Sequence, residues 1–337
     1  VDAGYIWNRT ATKQLVEVQG FSQSEHDPGY FWKKLNDGTR MDLLLYVDDA
    51  YVTDDNSTLA DIELETFGMA FQEKDGASGI TVQNPPKHFL GANVDVHSAE
   101  SVTISSRAYV TQMAARYLDK PLDAYPDYLT PCARDLVEAY DEAREKLDVL
   151  DDATKKLYAS KCGAAIFAGP CSRFDALYVL GMCARCLTFP TERMNKAVDR
   201  VIAYLAKTSE RGVTFVAKDA AHPKLDYEVY SDSDWCVAHS TSGSCHLVRG
   251  RVVHASSKRQ HSISLSSTEA EIMAASLAAQ EAIFHRSLFT EMGFDMSEPT
   301  TLWVDNMGAV ECTQRRESLS RSRHIERRYL KILEWVA

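Results

Sequence analysis

The 337-residue sequence has no apolar run approaching the roughly 20 residues that a membrane-spanning helix needs, which excludes a transmembrane protein. It shows no basic segment followed by an apolar core at its start, so no signal peptide is visible, and the chain opens on Val1. Its 16 glycines and 10 prolines follow no period, which excludes a collagen-like repeat. The eight cysteines are scattered, against a small disulfide scaffold and in favour of a reducing compartment. Net basic charge is lacking too: 37 Lys and Arg against 48 Asp and Glu give −11, unlike a general nucleic-acid binder. What remains, 45% hydrophobic and 25% charged residues, is ordinary for a globular chain of two or three domains.

Periodicity divides the chain into unlike parts. In residues 1–120, loose helical spacing ends at Gly20, and two apolar runs, from Tyr30 and from Met41, flank the turn Asn36-Asp-Gly-Thr. The second run enters Asp48-Asp49 and leaves through Ala50-Tyr-Val-Thr. A helix is expected at 57–71, strands at Gly79–Val82, 89–97 and 101–105, and a helix at 106–119. Residues 121–225 read as all-helical, with an acidic stretch at Asp135–Asp152 that fits a solvated loop or an exposed helix. From 226 to 337 the order is strand, strand, strand, long helix (267–292), strand, helix. The expected fold class is therefore mixed α/β. Cys183-Ala-Arg-Cys186 lies in an apolar run without a second metal-ligating pair, so core packing is expected there rather than zinc or redox chemistry. Core packing is also expected of Trp235 and Trp303, and a structural role of His324.

Two constellations carry chemistry. Asp48 and Asp49 stand together between hydrophobic strands, where burial of uncompensated charge would cost several kcal/mol. At a turn they could instead hold a hard divalent cation through oxygen ligands. Asp232 and Asp305 end two strands, and Glu269 and Glu271 open the long helix between them; three converging carboxylates bind one or two Mg²⁺ or Mn²⁺. The two glutamates are about 200° apart around a helix, so only one can face such ions. The simpler alternative is that Ser267 or Thr268 caps the helix and both glutamates favour its N-terminal dipole.

Several strings resemble one family in order along the chain. Tyr46-Val-Asp-Asp resembles the YxDD box of reverse transcriptases. Phe89-Leu-Gly and the segment Gly20–Phe31 are similar to elements of copia-type LTR retrotransposon Pol polyproteins. Tyr230-Ser-Asp-Ser-Asp-Trp, Ser240-Thr-Ser-Gly, Leu265-Ser-Ser-Thr-Glu-Ala-Glu, Val304-Asp-Asn and Arg323-His-Ile-Glu resemble that family's ribonuclease H domain. The resemblance implies a reverse transcriptase palm remnant (1–120), a helical thumb or connection (121–225) and a ribonuclease H-like domain with a mixed sheet (226–337). It implies Asp48 and Asp49 as polymerase metal acids, and Asp232, Glu271 and Asp305 as nuclease metal ligands. Glu271 is preferred over Glu269 because it precedes Ile272-Met-Ala. It implies two bound Mg²⁺ or Mn²⁺, and as partners an RNA/DNA hybrid, a template-primer and other parts of the polyprotein, with no membrane. The setting implied is cytoplasmic, in a virus-like particle, or nuclear, and not secreted.

Departures from the family pattern matter as well. The other palm Asp and the fingers would precede Val1, and an ADxxTK-like motif is absent, with Glu326 standing where the family has Asp. A polyprotein fragment or a decayed copy is expected, unable to polymerise DNA by itself, with a catalytically inactive nucleic-acid-binding relic as the alternative. Charge is unevenly spread: Arg315, Arg316, Arg321 and Arg323 belong to a strip, 315–331, with seven basic and two acidic residues. Lys258 and Arg259 form a second patch, expected on a turn. Phosphate contact or a solvated face accounts for both.

Overall fold

The computed structural model describes residues 3–72, 78–98, 100–146, 148–217, 225–235, 239–314 and 331–335. The chain divides into two compact units, Val1–Leu90 with Phe284–Ser297, and Gly91–Ile283 with Glu298–Ala337. This division follows packing, where the sequence segments 1–120, 121–225 and 226–337 follow composition and motif.

In the first unit, helix α1 (Ala3–Lys13) leads into a sheet of β1 (Ser22–Gln23), β2 (Tyr30–Lys34), β3 (Arg40–Tyr46) and β4 (Asp49–Asp54), paired antiparallel in that order. The Asp-Gly turn joins β2 to β3 as expected, with Gly38 at φ +86, a conformation that costs glycine little. Alternation along β3 buries Met41, Leu43 and Leu45 with Phe31, Leu15 and, from helix α2 (Ser57–Ala70), Ala60 and Phe67. Gly79–Val82 is not a strand. Its backbone instead packs on the end of α2, where the Gly79 amide donates to the Gly68 carbonyl at 3.0 Å. A Cβ on Gly79 would meet the Phe71 carbonyl oxygen at 1.9 Å, so only glycine permits that approach. A short strand β5 (His88–Phe89) ends the unit's first segment, and Phe89 packs its ring on Tyr51.

The second unit contains β6 (Ala92–Ser98), β7 (Ser101–Ser105) and helices α3 (Arg107–Tyr117), α4 (Leu136–Arg144), α5 (Asp152–Ser172), α6 (Leu177–Ala184) and α7 (Glu192–Lys207). The helices share one core in which Tyr158, Cys162, Cys183 and Cys186 are buried. Burial pushes the Cys162 and Cys186 thiols up to about 12, so these cysteines pack rather than react. The first part of the acidic stretch forms helix α4, whose Leu136, Ala139 and Ala143 are buried while its acidic residues are exposed. The region is not all-helical, because β8 (Gly212–Val216) pairs antiparallel with β7. That pairing spans more than a hundred residues, beyond the reach of local pattern.

The same unit continues as β9 (Tyr227–Ser233), β10 (Thr241–Val248), β11 (Arg251–Arg259), the long helix α8 (Ser267–Glu291) as far as Ile283, β12 (Thr301–Val304), α9 (Met307–Gln314) and α10 (Ile332–Trp335). Its sheet order is β11-β10-β9-β12, with antiparallel pairing except that β12 runs parallel to β9. A mixed sheet with a helix crossing between the parallel pair is what the strand-helix-strand pattern implies. Trp235 and Trp303 are not core residues: they are 60% and 51% exposed. Trp303 lies on the edge strand β12, stacks on Tyr230 at 6.1 Å and donates to Glu228 at 2.9 Å. Among the described residues, no helix is long and apolar enough to cross a membrane.

Candidate active site

The ends of β9 and β12 fix two acids beside each other. Val304 pairs with Ser231 in the parallel register, so Asp305 and Asp232 occupy the next position on adjacent strands, which run about 4.8 Å apart. The third acid comes from the start of α8. The Ser266 hydroxyl accepts from the Glu269 amide at 3.2 Å, and the Glu269 carboxylate accepts from the Leu265 amide at 2.7 Å. Ser266, rather than Ser267 or Thr268, is the cap, and Glu269 reaches back one residue further than in a capping box, to the amide before the cap. Glu269 is thereby committed to holding the helix start. Glu271, two residues on, meets the strand acids: one ligand oxygen each from Asp232, Glu271 and Asp305 lie within 4.8 Å of one another.

Glu271 is buried, whereas both aspartates are exposed. Its Oε1 accepts from the Ser233 hydroxyl at 2.7 Å and the Ser233 amide at 3.1 Å, while Oε2 is buried with no hydrogen-bond partner among the described residues. Burial first, then the charges of Asp232 and Asp305, raise its carboxyl above the usual glutamate range despite the Ser233 bonds. An unpartnered oxygen among three mutually repelling carboxylates fits a divalent cation held by oxygen ligands. Asp234, two residues beyond Asp232, instead accepts from the Thr241 amide. Beside the acids opens a cleft of about 870 Å³ lined by Phe174, Tyr178, Tyr230, Trp303 and the carboxylates of Asp232 and Asp305.

Asp48 and Asp49 are exposed at the β3–β4 turn, and Val47 takes the left-handed conformation there, φ +54, uncommon for a β-branched residue. Among the described residues no third ligand group joins them in a cluster. Lys258 and Arg259 are exposed on the last two positions of β11, not on a turn. Lys258 donates to Glu281 at 3.0 Å. Arg315, Arg316, Arg321, Arg323, His324 and Glu326 lie outside the described residues.

One cluster is absent from the sequence reading: His246, His254 and Glu281 also bring ligand atoms within 4.8 Å of one another. The signal was present, since both histidines stand four residues from Gly250, on either side of a hairpin turn.

Fold and site together define a mixed α/β chain that gathers three carboxylates at the junction of two parallel strand ends and a helix start. The chain is similar to the retrovirus-related Pol polyproteins of transposons. It is 25% identical over 327 residues to the retrovirus-related Pol polyprotein from transposon TNT 1-94 of Nicotiana tabacum, covering 96% of this chain and 23% of that protein. With the retrovirus-related Pol polyprotein from transposon RE1 of Arabidopsis thaliana it shares 27% identity over 287 residues, 84% of this chain and 18% of that one. It thus spans about a fifth of the length of these relatives. A shorter relative, named secreted RxLR effector protein 161 of Plasmopara viticola, is 35% identical over 131 residues, 38% of this chain and 89% of its own length. No protein-family model matches the chain.

Proposed function

We propose that this part of a Pol polyprotein is of the copia type and hydrolyses the RNA strand of RNA/DNA hybrids at Asp232, Glu271 and Asp305. The observation that carries the reading is the convergence of those three carboxylates from β9, α8 and β12, with Glu271 Oε2 lacking a partner among the described residues. Mg²⁺ or Mn²⁺ held by these oxygens would polarise the scissile phosphate and supply hydroxide at neutral pH. Ser233 fixes one Glu271 oxygen and so restricts the carboxylate's rotation. The bonds of Ser266 and Glu269 at the start of α8 fix the helix's height and hence that of Glu271 against the strand ends. The aromatic and hydroxyl-lined cleft beside the acids offers stacking and hydrogen-bonding surface to a nucleic acid, whose ribose 2′-hydroxyl distinguishes RNA from DNA.

Asp48 and Asp49 are the matching pair of polymerase acids in this reading, which would bind metal with a template-primer once a further acid joined them. Lys258, Arg259 and the arginines at 315, 316, 321 and 323 are proposed phosphate contacts. Other parts of the polyprotein are the proposed protein partners, in the cytoplasm or nucleus. Incubating the intact chain with a hybrid labelled on its RNA strand, with Mg²⁺ and with Asp232→Asn as control, tests the assignment. RNA-strand cleavage that the variant lacks supports it; no cleavage, or equal cleavage by both proteins, overturns it and leaves an inactive relic.

A further inference from the structure

The second cluster stands apart from the acids described above. Glu281 follows Glu271 by ten residues on α8, about 15 Å along the helix axis. In the β10–β11 hairpin His246 pairs directly with His254, and their ring centroids are 5.3 Å apart. Glu281 meets both rings: Oε2 lies 3.2 Å from His246 Nε2, and Oε1 lies 3.8 Å from His254 Nε2. Ligands about 2.0–2.1 Å from a tetrahedral ion are about 3.3 Å apart, which the 3.2 Å pair already matches and towards which the 3.8 Å pair would close by about half an ångström. Tyr227 on β9 holds the far side of the buried His246 ring, its hydroxyl 2.7 Å from Nδ1.

We propose that His246, His254 and Glu281 form a binding site for a divalent transition metal, Zn²⁺ foremost, which ties β10 and β11 to α8. Two imidazoles and one carboxylate are a donor set that suits zinc and its neighbours, and not Mg²⁺. The proton balance is local. In the metal-free cluster the Tyr227 hydroxyl donates to Nδ1 and His246 Nε2–H points to Glu281. On metal binding the His246 proton resides on Nδ1, Tyr227 accepts from it, and Nε2 gives its lone pair to the ion. A hydroxyl can serve either tautomer. The competing cation is Lys258, whose ammonium donates to Glu281 Oε1 at 3.0 Å. Its side chain is 64% exposed and can swing into water. Ser244 Oγ, donating to Glu281 Oε2 at 2.6 Å, keeps the carboxylate in place.

The test uses the full chain, stripped with chelator and titrated with Co²⁺ as a visible probe, then with Zn²⁺ against a chromogenic competitor. The wild type is expected to show Co²⁺ ligand-field bands and to bind one Zn²⁺ at this site. His254→Ala and Glu281→Gln should each weaken Zn²⁺ by tenfold or more, whereas Lys258→Ala should tighten it several-fold by removing the competing ammonium. His254 is partly exposed, so its replacement leaves the fold intact, which circular dichroism checks. Asp232→Asn should leave Zn²⁺ affinity unchanged, which separates this site from the carboxylate triad. Three results would overturn the proposal: Zn²⁺ affinity equal in wild type and His254→Ala, weaker binding by Lys258→Ala, or a thiolate-to-cobalt band placing the metal on cysteine.

Discussion

Replacing Glu271 by Gln removes one charge from the triad and almost nothing else. The glutamine carbonyl can still accept both Ser233 bonds, and the side chains are isosteric. In the metal-free chain the carboxylate repels Asp232 and Asp305 across at most 4.8 Å. Each such pair is worth about 0.9 kcal/mol at the dielectric of water and about 3.5 kcal/mol at an effective value of 20. Both aspartates are exposed, which favours the lower figure, so two pairs together cost about 2 kcal/mol. In chelator, then, Glu271→Gln should be more stable than wild type by about 2 kcal/mol, or about 4–8 °C in midpoint for a unit of this size. Millimolar Mg²⁺ should stabilise the wild type and leave the variant nearly unmoved, because binding stabilises only the state that holds the ion. Urea or thermal melts in chelator and in Mg²⁺ measure both effects. A variant less stable than wild type in chelator, or equal Mg²⁺ stabilisation of the two, would refute the reasoning.

Further outcomes follow from the same geometry. Burial and the neighbouring aspartates hold the Glu271 carboxyl above its ordinary range, so the folded state binds the proton more tightly than the unfolded. Metal-free stability should therefore fall as pH rises from the ordinary glutamate range through the raised value, and the gap to Glu271→Gln should widen in that direction. Melts against pH in chelator check the sign. Ser266→Ala deletes the cap of α8 and should cost about 1 kcal/mol in a urea titration. Asp175→Ala leaves the buried Arg173 charge without the carboxylate it donates to at 3.1 and 3.0 Å, only its neutral acceptors on Leu205 and Thr208 remaining, and should cost about 3 kcal/mol by the same method.

Much of this architecture is written in local pattern. The Asp-Gly turn, the period-two alternation of β3 and the apolar run of α6 each specify an element within a dozen residues. The choice between Glu269 and Glu271 was not local: the helix period says only that they face differently. Resemblance selected Glu271, and the bond from the Leu265 amide supplies the physical reason, by engaging Glu269 elsewhere. Three features escaped because they depend on distant partners. The strand β8 is defined by β7, Gly79 by the end of α2, and the exposure of Trp303 by its place on an edge strand. The acidic net charge is likewise a sum over unlike parts, since it adds an exposed acidic helix to acids gathered at one point.

The most direct test is a side-by-side cleavage assay of the intact chain, Glu269→Gln and Glu271→Gln on an RNA/DNA hybrid in Mg²⁺. The account predicts RNA-strand cleavage by the wild type and by Glu269→Gln, which keeps its acceptor for the Leu265 amide, and none by Glu271→Gln. Cleavage by Glu271→Gln at the wild-type rate, or none by the intact chain, would contradict it.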